Sequence, residues 1–220
     1  MTAVGFRLRA ACGIAGPAAF TAAWVAGTLR QSGYSVAEEH LSGLAAPDAR
    51  DPELMLAGFL ALGVCTTAFG GALRDALGGP GRAGPGPWLV RCAGMATVAA
   101  GLLRRDRMLL HPPGGGAGAS WHNQGHDLAS GVAYAALLAA PLLLAARFGA
   151  DPAWARLRAL ALATSLVTAA LLAVFWSEVL EPWNGIVQRV VVTIPLAFMA
   201  ALAVHLLAQD QEPAGRRPPG

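Results

Sequence analysis

His126, Asp106 and Ser42 are residue types suited to proton transfer and nucleophilic attack. Histidine titrates near neutral pH, and a carboxylate bonded to one ring nitrogen fixes its tautomer and raises the basicity of the other nitrogen. His126 and Asp106 are expected to form such a pair. Ser42, or Ser35, would then be the nucleophile of a Ser–His–Asp arrangement. No Gly-x-Ser-x-Gly elbow accompanies them. The competing and plainer reading is a polar network that positions loops at the membrane interface.

A second set of residues suits an anion. The Arg189 guanidinium is a fork that matches a carboxylate or a phosphate. Pairing with Glu178 or Asp106 would offset the cost of its charge near a membrane, and a lipid phosphate would do the same, with His40 close at hand as a polar neighbour. His122 and His126 are four residues apart and could take zinc together with Asp127 or Asp106. Gly125 lies between them and a Gly/Pro run precedes them. A helix is therefore expected to begin only near His126, with Asp127 as its cap, and no His-Glu-x-x-His pattern is present. The sequence assigns no metal and no cofactor. Cys12, Cys65 and Cys92 are odd in number and widely spaced, which reads as packing and not as a disulfide or zinc framework.

The elements that must position these residues are long apolar runs. Hydrophobic residues make up 55% of the 220 residues and charged residues 13%, against about 25% charged in a soluble domain. A helix needs about 20 apolar residues to cross a bilayer. Spans are expected near residues 10–29, 54–73, 88–103, 128–146, 159–176 and 190–208, with a polar tail over 209–220 that lacks order. The fold class is thus all-α: a polytopic membrane protein, one bundle of six transmembrane helices. The third span is the weakest, because only residues 92–103 of it are free of charge. Arg91 and Arg104 would snorkel to the two interfaces.

Every basic residue is an arginine. Arginines in the segments that would lie inside outnumber those outside, even with Arg104, Arg105 and Arg107 counted against the rule, so both termini are expected to be cytoplasmic. The net charge of +3 is small and scattered, which excludes a nucleic-acid stripe. The bilayer is the expected partner. In the first outside loop, Ser35 and Glu38 match a capping box, predicting a short helix over residues 36–44. Asp51 and Pro52 read as the cap and first residue of the second span.

Short motifs punctuate this pattern: His-Leu-Ser-Gly-Leu at 40–44, Leu-Met-Leu-Ala-Gly-Phe at 54–59, Gly-Leu-Leu-Arg-Arg-Asp at 101–106, His126, and Gly-Ile-Val-Gln-Arg at 185–189. In these the chain resembles the domain-of-unknown-function 998 family, six-span bacterial membrane proteins. At residues 103–106 the family's Phe-Pro-x-Asp-like element keeps only the Asp. The resemblance implies the fold, a bacterial inner membrane and a short residue list, but no reaction.

Three functional readings remain. The first is an integral membrane protein whose outward-facing polar pocket, built around Asp106, His126, Arg189 and His40–Ser42, binds a lipid headgroup or a small polar ligand. The second is a membrane-embedded hydrolase acting on lipid or an envelope precursor, with His126 as base, Asp106 as orienter and Ser42 as nucleophile. The third is a small transporter, although the spans carry few charges for a relay and no nucleotide-binding loop is present.

Overall fold

The computed structural model describes residues 2–79, 81–107, 119–150, 152, 154–177 and 179–211. Glu178, residues 112–118 of the Gly/Pro loop and residues 212–220 of the tail lie outside this set. The described residues form six long helices and no strand: α1 (Ala3–Arg30), α2 (Pro52–Ala76), α3 (Gly86–Leu102), α4 (Trp121–Phe148), α5 (Ala155–Ser177) and α6 (Asn184–Gln211). Alanine, leucine and valine fill them, so each satisfies its backbone internally, as a lipid environment demands. Five of the six (all but α3) are long and apolar enough to cross a membrane. Their outer faces carry exposed Leu8, Leu29, Leu128, Leu166 and Val204, a surface suited to lipid. The chain is a multi-pass helical membrane protein.

The helices follow one another around a ring. Each packs on the next, and α6 closes the ring against α1. The α1–α2 seam is antiparallel: Arg9 of α1 meets Asp75 at the far end of α2, and Arg30 meets Asp51. The tightest seam joins α2 and α3. A Cβ at Gly94 would sit 2.6 Å from Gly63 O, and one at Gly63 would sit 2.6 Å from Gly94 O. Small residues of this kind let two backbones touch. Pro141 breaks the hydrogen-bond ladder of α4, and Ser165 Oγ of α5 donates across to Leu138 O in the preceding turn at 2.9 Å.

Three local expectations change. The helix expected over 36–44 is a turn followed by a 3-10 turn, Leu41–Ala45. Ser35 Oγ does accept from the Glu38 N–H, but Glu39 Oε2, not Glu38, takes the Ser35 N–H at 2.8 Å. The carbonyls of Val36, Ala37 and Glu39 accept bonds from α6, so they are engaged outside a helical ladder. Asp51 and Pro52 do stand as the N-cap and first residue of α2, but the Asp51 side chain makes no capping bond; its carboxylate pairs with Arg30 at 2.6 Å instead. Helix α4 starts at Trp121 and not near His126. Ser120 is its cap, Oγ accepting from the Asn123 N–H at 3.2 Å, so His122, His126 and Asp127 all ride on helix.

Candidate functional site

One end of the bundle gathers the 3-10 turn, the exit of α3, the first turns of α4, the end of α5 and the start of α6 around a cavity of about 480 Å³. Its construction begins with α6. Gly185 and Ile186 open that helix, and their N–H groups donate to Ala37 O at 2.7 and 3.3 Å. A Cβ at Gly185 would lie 2.6 Å from both Glu39 O and Val36 O, so only glycine lets the loop rest there. Arg189, one turn on, is buried. Its Nη1 donates to Val36 O, Glu39 O and Gly185 O at 2.8–3.0 Å, and its Nη2 donates to Tyr34 Oη at 2.7 Å. Trp24 lies 5.5 Å from the guanidinium carbon, within cation–π range. Gln188 completes the clamp: its Oε1 accepts from the Leu41 N–H at 2.7 Å. The motifs at 40–44 and 185–189 are therefore two halves of one junction.

That junction holds His40 and Ser42 against the cavity, where Arg105 meets them. Arg105 Nη1 lies 3.2 Å from His40 Nδ1 and 3.4 Å from Ser42 Oγ. Its Nη2 pairs with Asp127 Oδ1 at 3.3 Å, and Nε approaches Asn123 Oδ1 at 3.4 Å. Asn123 in turn donates to Asp127 at 2.9 Å. Guanidinium can only donate, so His40 Nδ1 is the acceptor and Nε2 carries the proton. Burial first, and the Arg105 charge second, push the His40 pKa down to about 4. No partner for His40 Nε2 is found among the described residues.

His126 is buried under the same cavity. Its Nδ1 lies 2.7 Å from Ala100 O and 3.1 Å from Leu103 O. Carbonyls only accept, so Nδ1 bears the proton and Nε2 keeps a lone pair. The expected partner of His126 was Asp106; the free carbonyls at the end of α3 take that place. Asp106 Oδ2 accepts the Ser120 N–H at 2.8 Å instead, and these Ser120 bonds lower the Asp106 pKa. Ser42 Oγ is bonded to Arg105 and not to His126. The structure thus brings Ser42, His40 and His126 to one cavity and leaves Asp106 at its rim, serving a loop. Arg189 is committed to backbone carbonyls, and Glu178 is outside the described residues.

His122 is exposed and tilted against Trp121, with ring centroids 3.8 Å apart and 39° between the planes, while His126 is turned toward α3. Among the described residues no group of three His, Cys, Asp or Glu side chains comes together in a way that could hold a metal ion. Trp154 is buried in a stack on Phe148.

Sequence reasoning passed over Arg105. It was one of three nearby arginines counted only for membrane orientation. Arg104 turns out to Glu53 at 2.6 Å; Arg105 turns in, its side chain 18% exposed. Tyr134 and Gln188 add polar groups to the cavity wall, 3.4 Å from one another. The lining also includes the apolar side chains of Phe20, Phe59, Leu62, Leu137 and Leu196.

Fold and site together define a helical multi-pass membrane protein with a half-polar, half-apolar cavity at one end. More narrowly, residues 14–205 match the family model described as "Protein of unknown function (DUF998)", and the chain belongs to that family. No curated protein and no solved structure matches it.

Proposed function

We propose that this protein binds an amphipathic, lipid-like molecule in the cavity, with its polar head at Arg105 and its apolar part along Phe59, Leu62 and Leu196. The observation that carries this reading is the inward-held Arg105, flanked by His40, Ser42 and Asp127, in a cavity also lined by Phe20, Phe59, Leu62, Leu137 and Leu196. A charge-assisted bond from the guanidinium suits a phosphate or carboxylate oxygen of the head. The neutral His40 offers a further donor at Nε2, and Asp127 accepts from a hydroxyl or ammonium. Arg189, Gln188 and Gly185 act at one remove by holding the loop that presents His40 and Ser42. In this reading α3 crosses as a sixth span, both termini are cytoplasmic in a bacterial inner membrane, and the cavity opens outward.

The test is native mass spectrometry of the protein released from mild detergent, beside the Arg105→Gln variant. Wild-type protein is expected to retain a lipid-sized adduct that Arg105→Gln loses at unchanged thermal stability. An adduct held equally by both proteins, with a nanodisc control against stripping, rejects the reading.

One observation favours a second reading, a membrane-embedded hydrolase acting on lipid or an envelope precursor. His126 Nε2 is left as a base by the carbonyls on Nδ1, and Ser42 lines the same cavity. Attack would require the Ser42 hydroxyl to leave Arg105 for His126 when substrate enters. Loss of hydrolysis in both Ser42→Ala and His126→Gln, with the adduct still retained, is its signature. Binding that persists in a protein without turnover leaves the binder.

A further inference from the structure

At the opposite end of the bundle, three arginines from three helices converge on one groove. Arg9 comes from the second turn of α1, Arg74 from the last turn of α2 and Arg91 from the second turn of α3. The groove has a volume of about 560 Å³. Two adjacent glycines of α2 make room for the flanking arginines. A Cβ at Gly71 would lie 3.2 Å from Arg9 Nη1, and one at Gly70 would lie 2.6 Å from Arg91 Cγ.

Asp75 is the acid partner found here. It takes Arg9 at 2.9 Å and Arg74 at 3.4 Å. Trp88 supports the other two sides, with Arg91 4.7 Å and Arg74 5.8 Å from its ring centre. Among the described residues Arg91 meets Trp88 and no carboxylate, and Arg74 shares Asp75 with Arg9, so an anion beside Arg74 and Arg91 would meet positive charge. The Nε atoms of Arg74 and Arg91 are buried and have no hydrogen-bond partner.

The groove does not end at the charges. It runs on along Val98, Met95 and Val64; Met95 and Val64 are 52% and 61% exposed on a surface that faces lipid. Arg74 and Val64 are ten residues apart on one helix, about 15 Å of track. A small free anion would use only the charged end. A molecule with an anionic head and an acyl chain fits both.

We propose that this groove is a specific site for an anionic phospholipid, its phosphate among Arg9, Arg74 and Arg91 and one acyl chain against Val98, Met95 and Val64. The lipid would also offset the cost of Arg91, which sits inside the shortest helix. This site is separate from the cavity at the other end and does not depend on the function proposed for it.

The experiment offers delipidated protein an equimolar mixture of phosphatidylglycerol and phosphatidylcholine of one chain length, with adducts read by native mass spectrometry. Phosphatidylglycerol is expected to be preferred, and Arg91→Gln to cut the preference about fivefold, the scale of one basic residue near an anionic headgroup. Arg91→Lys should restore most of it. Val98→Trp, which obstructs the chain track without touching charge, should weaken both lipids; should Arg91→Gln not fold, Val98→Trp and Arg74→Gln carry the test. The comparison is made in an Arg105→Gln background, so that a lipid held in the cavity at the far end does not enter the count. Equal binding of both lipids, or a preference unchanged in Arg91→Gln and Arg74→Gln, overturns the site. Displacement by inorganic phosphate, beyond that by chloride at matched ionic strength, shows that the head alone is recognised and overturns the lipid assignment.

Discussion

Arg105 Nη1 stands 3.2 Å from His40 Nδ1, and burial of the ring, with the Arg105 charge second, holds the imidazole neutral. Its pKa is pushed from the ordinary 6.5 down to about 4. Between those values the unfolded chain binds a proton that the folded chain refuses, so the stabilisation is complete above about pH 6.5 and is lost as pH falls toward 4. The loss should approach, at most, roughly 3 kcal/mol. Glu39 works in the opposite sense, because burial raises its carboxyl pKa. In His40→Asn, an amide oxygen replaces Nδ1 as acceptor and does not titrate. Unfolding followed by tryptophan fluorescence across pH 4–7 should give a flatter profile for the variant than for the wild type. Two profiles of equal slope would show that His40 is not the group responsible.

Arg189 is a fastener. Replacement by alanine takes the side-chain donor from Val36 O, at about 1–3 kcal/mol for a buried group left unsatisfied, and removes one bond each from Glu39 O, Gly185 O and Tyr34 Oη, of which Tyr34 Oη and Glu39 O still bond to one another. A drop in thermal midpoint larger than that of any cavity variant is expected. Arg189→Lys should recover little of it, since one ammonium cannot serve both Tyr34 Oη and the loop carbonyls from the fork's positions. Tyr34→Phe removes one bond of the set and should cost about 1 kcal/mol. A fully stable Arg189→Ala would mean that the loop is held by Gln188 and Gly185 alone.

Gly185→Ala tests the same junction sterically. The new methyl would meet two backbone oxygens at 2.6 Å, atoms that cannot move without moving the loop. A cost of about 1–3 kcal/mol is expected. Because His40 and Ser42 move with that loop, ligand retention should fall in parallel. Hydrogen exchange at residues 36–44 should rise in the variant. If exchange there stays at the wild-type level, the clamp described for α6 is not what orders the loop.

The helices were legible because hydrocarbon imposes one simple demand, long apolar runs with internal backbone bonds, and that demand is written in composition. The site was legible in part. His40, Ser42 and His126 were singled out as polar residues at helix ends, and they do share one cavity. Their partners were not legible. His126 and Arg189 bond to backbone carbonyls, and every residue carries a carbonyl, so no pattern of side chains points to one. Arg105 differs from Arg104 only by a rotation of about 100° on a helix or a reversal on an extended chain, and which of the two faces inward depends on where Glu53 and Asp127 end up. The start of α4 did leave a signal: Ser120 is a favoured cap residue. The glycine run before it and Gly125 after it outweighed that signal, although Gly125 serves as a contact for Leu103.

Helix α3 carries the last prediction, because its 17 residues make about 26 Å at 1.5 Å each, against a hydrocarbon core of roughly 30 Å. Length alone would leave it short. The proposed sixth crossing draws its support from packing. Gly86 at one end meets Leu144 near the end of α4, and Gly101 at the other meets Phe59 in the second turn of α2. Those two neighbours are both long enough to cross, and α3 lies level with them for nearly its whole length. Arg91 on Trp88 and Arg104 on Glu53 place charge near its two ends, where it can reach water. In a cysteine-free background, Arg82→Cys and Ala119→Cys should therefore react with a membrane-impermeant maleimide from opposite sides, Ala119→Cys alone labelling in intact cells. Labelling of both from one side would make α3 a re-entrant segment and invert the orientation of α4, α5 and α6. Gly94→Leu in the same assay separates packing from length. It should loosen the α2–α3 seam, where Gly63 O lies 2.6 Å from the new Cβ, and expose Ala119→Cys incompletely. Unchanged labelling would mean that hydrophobicity inserts α3 without help from α2.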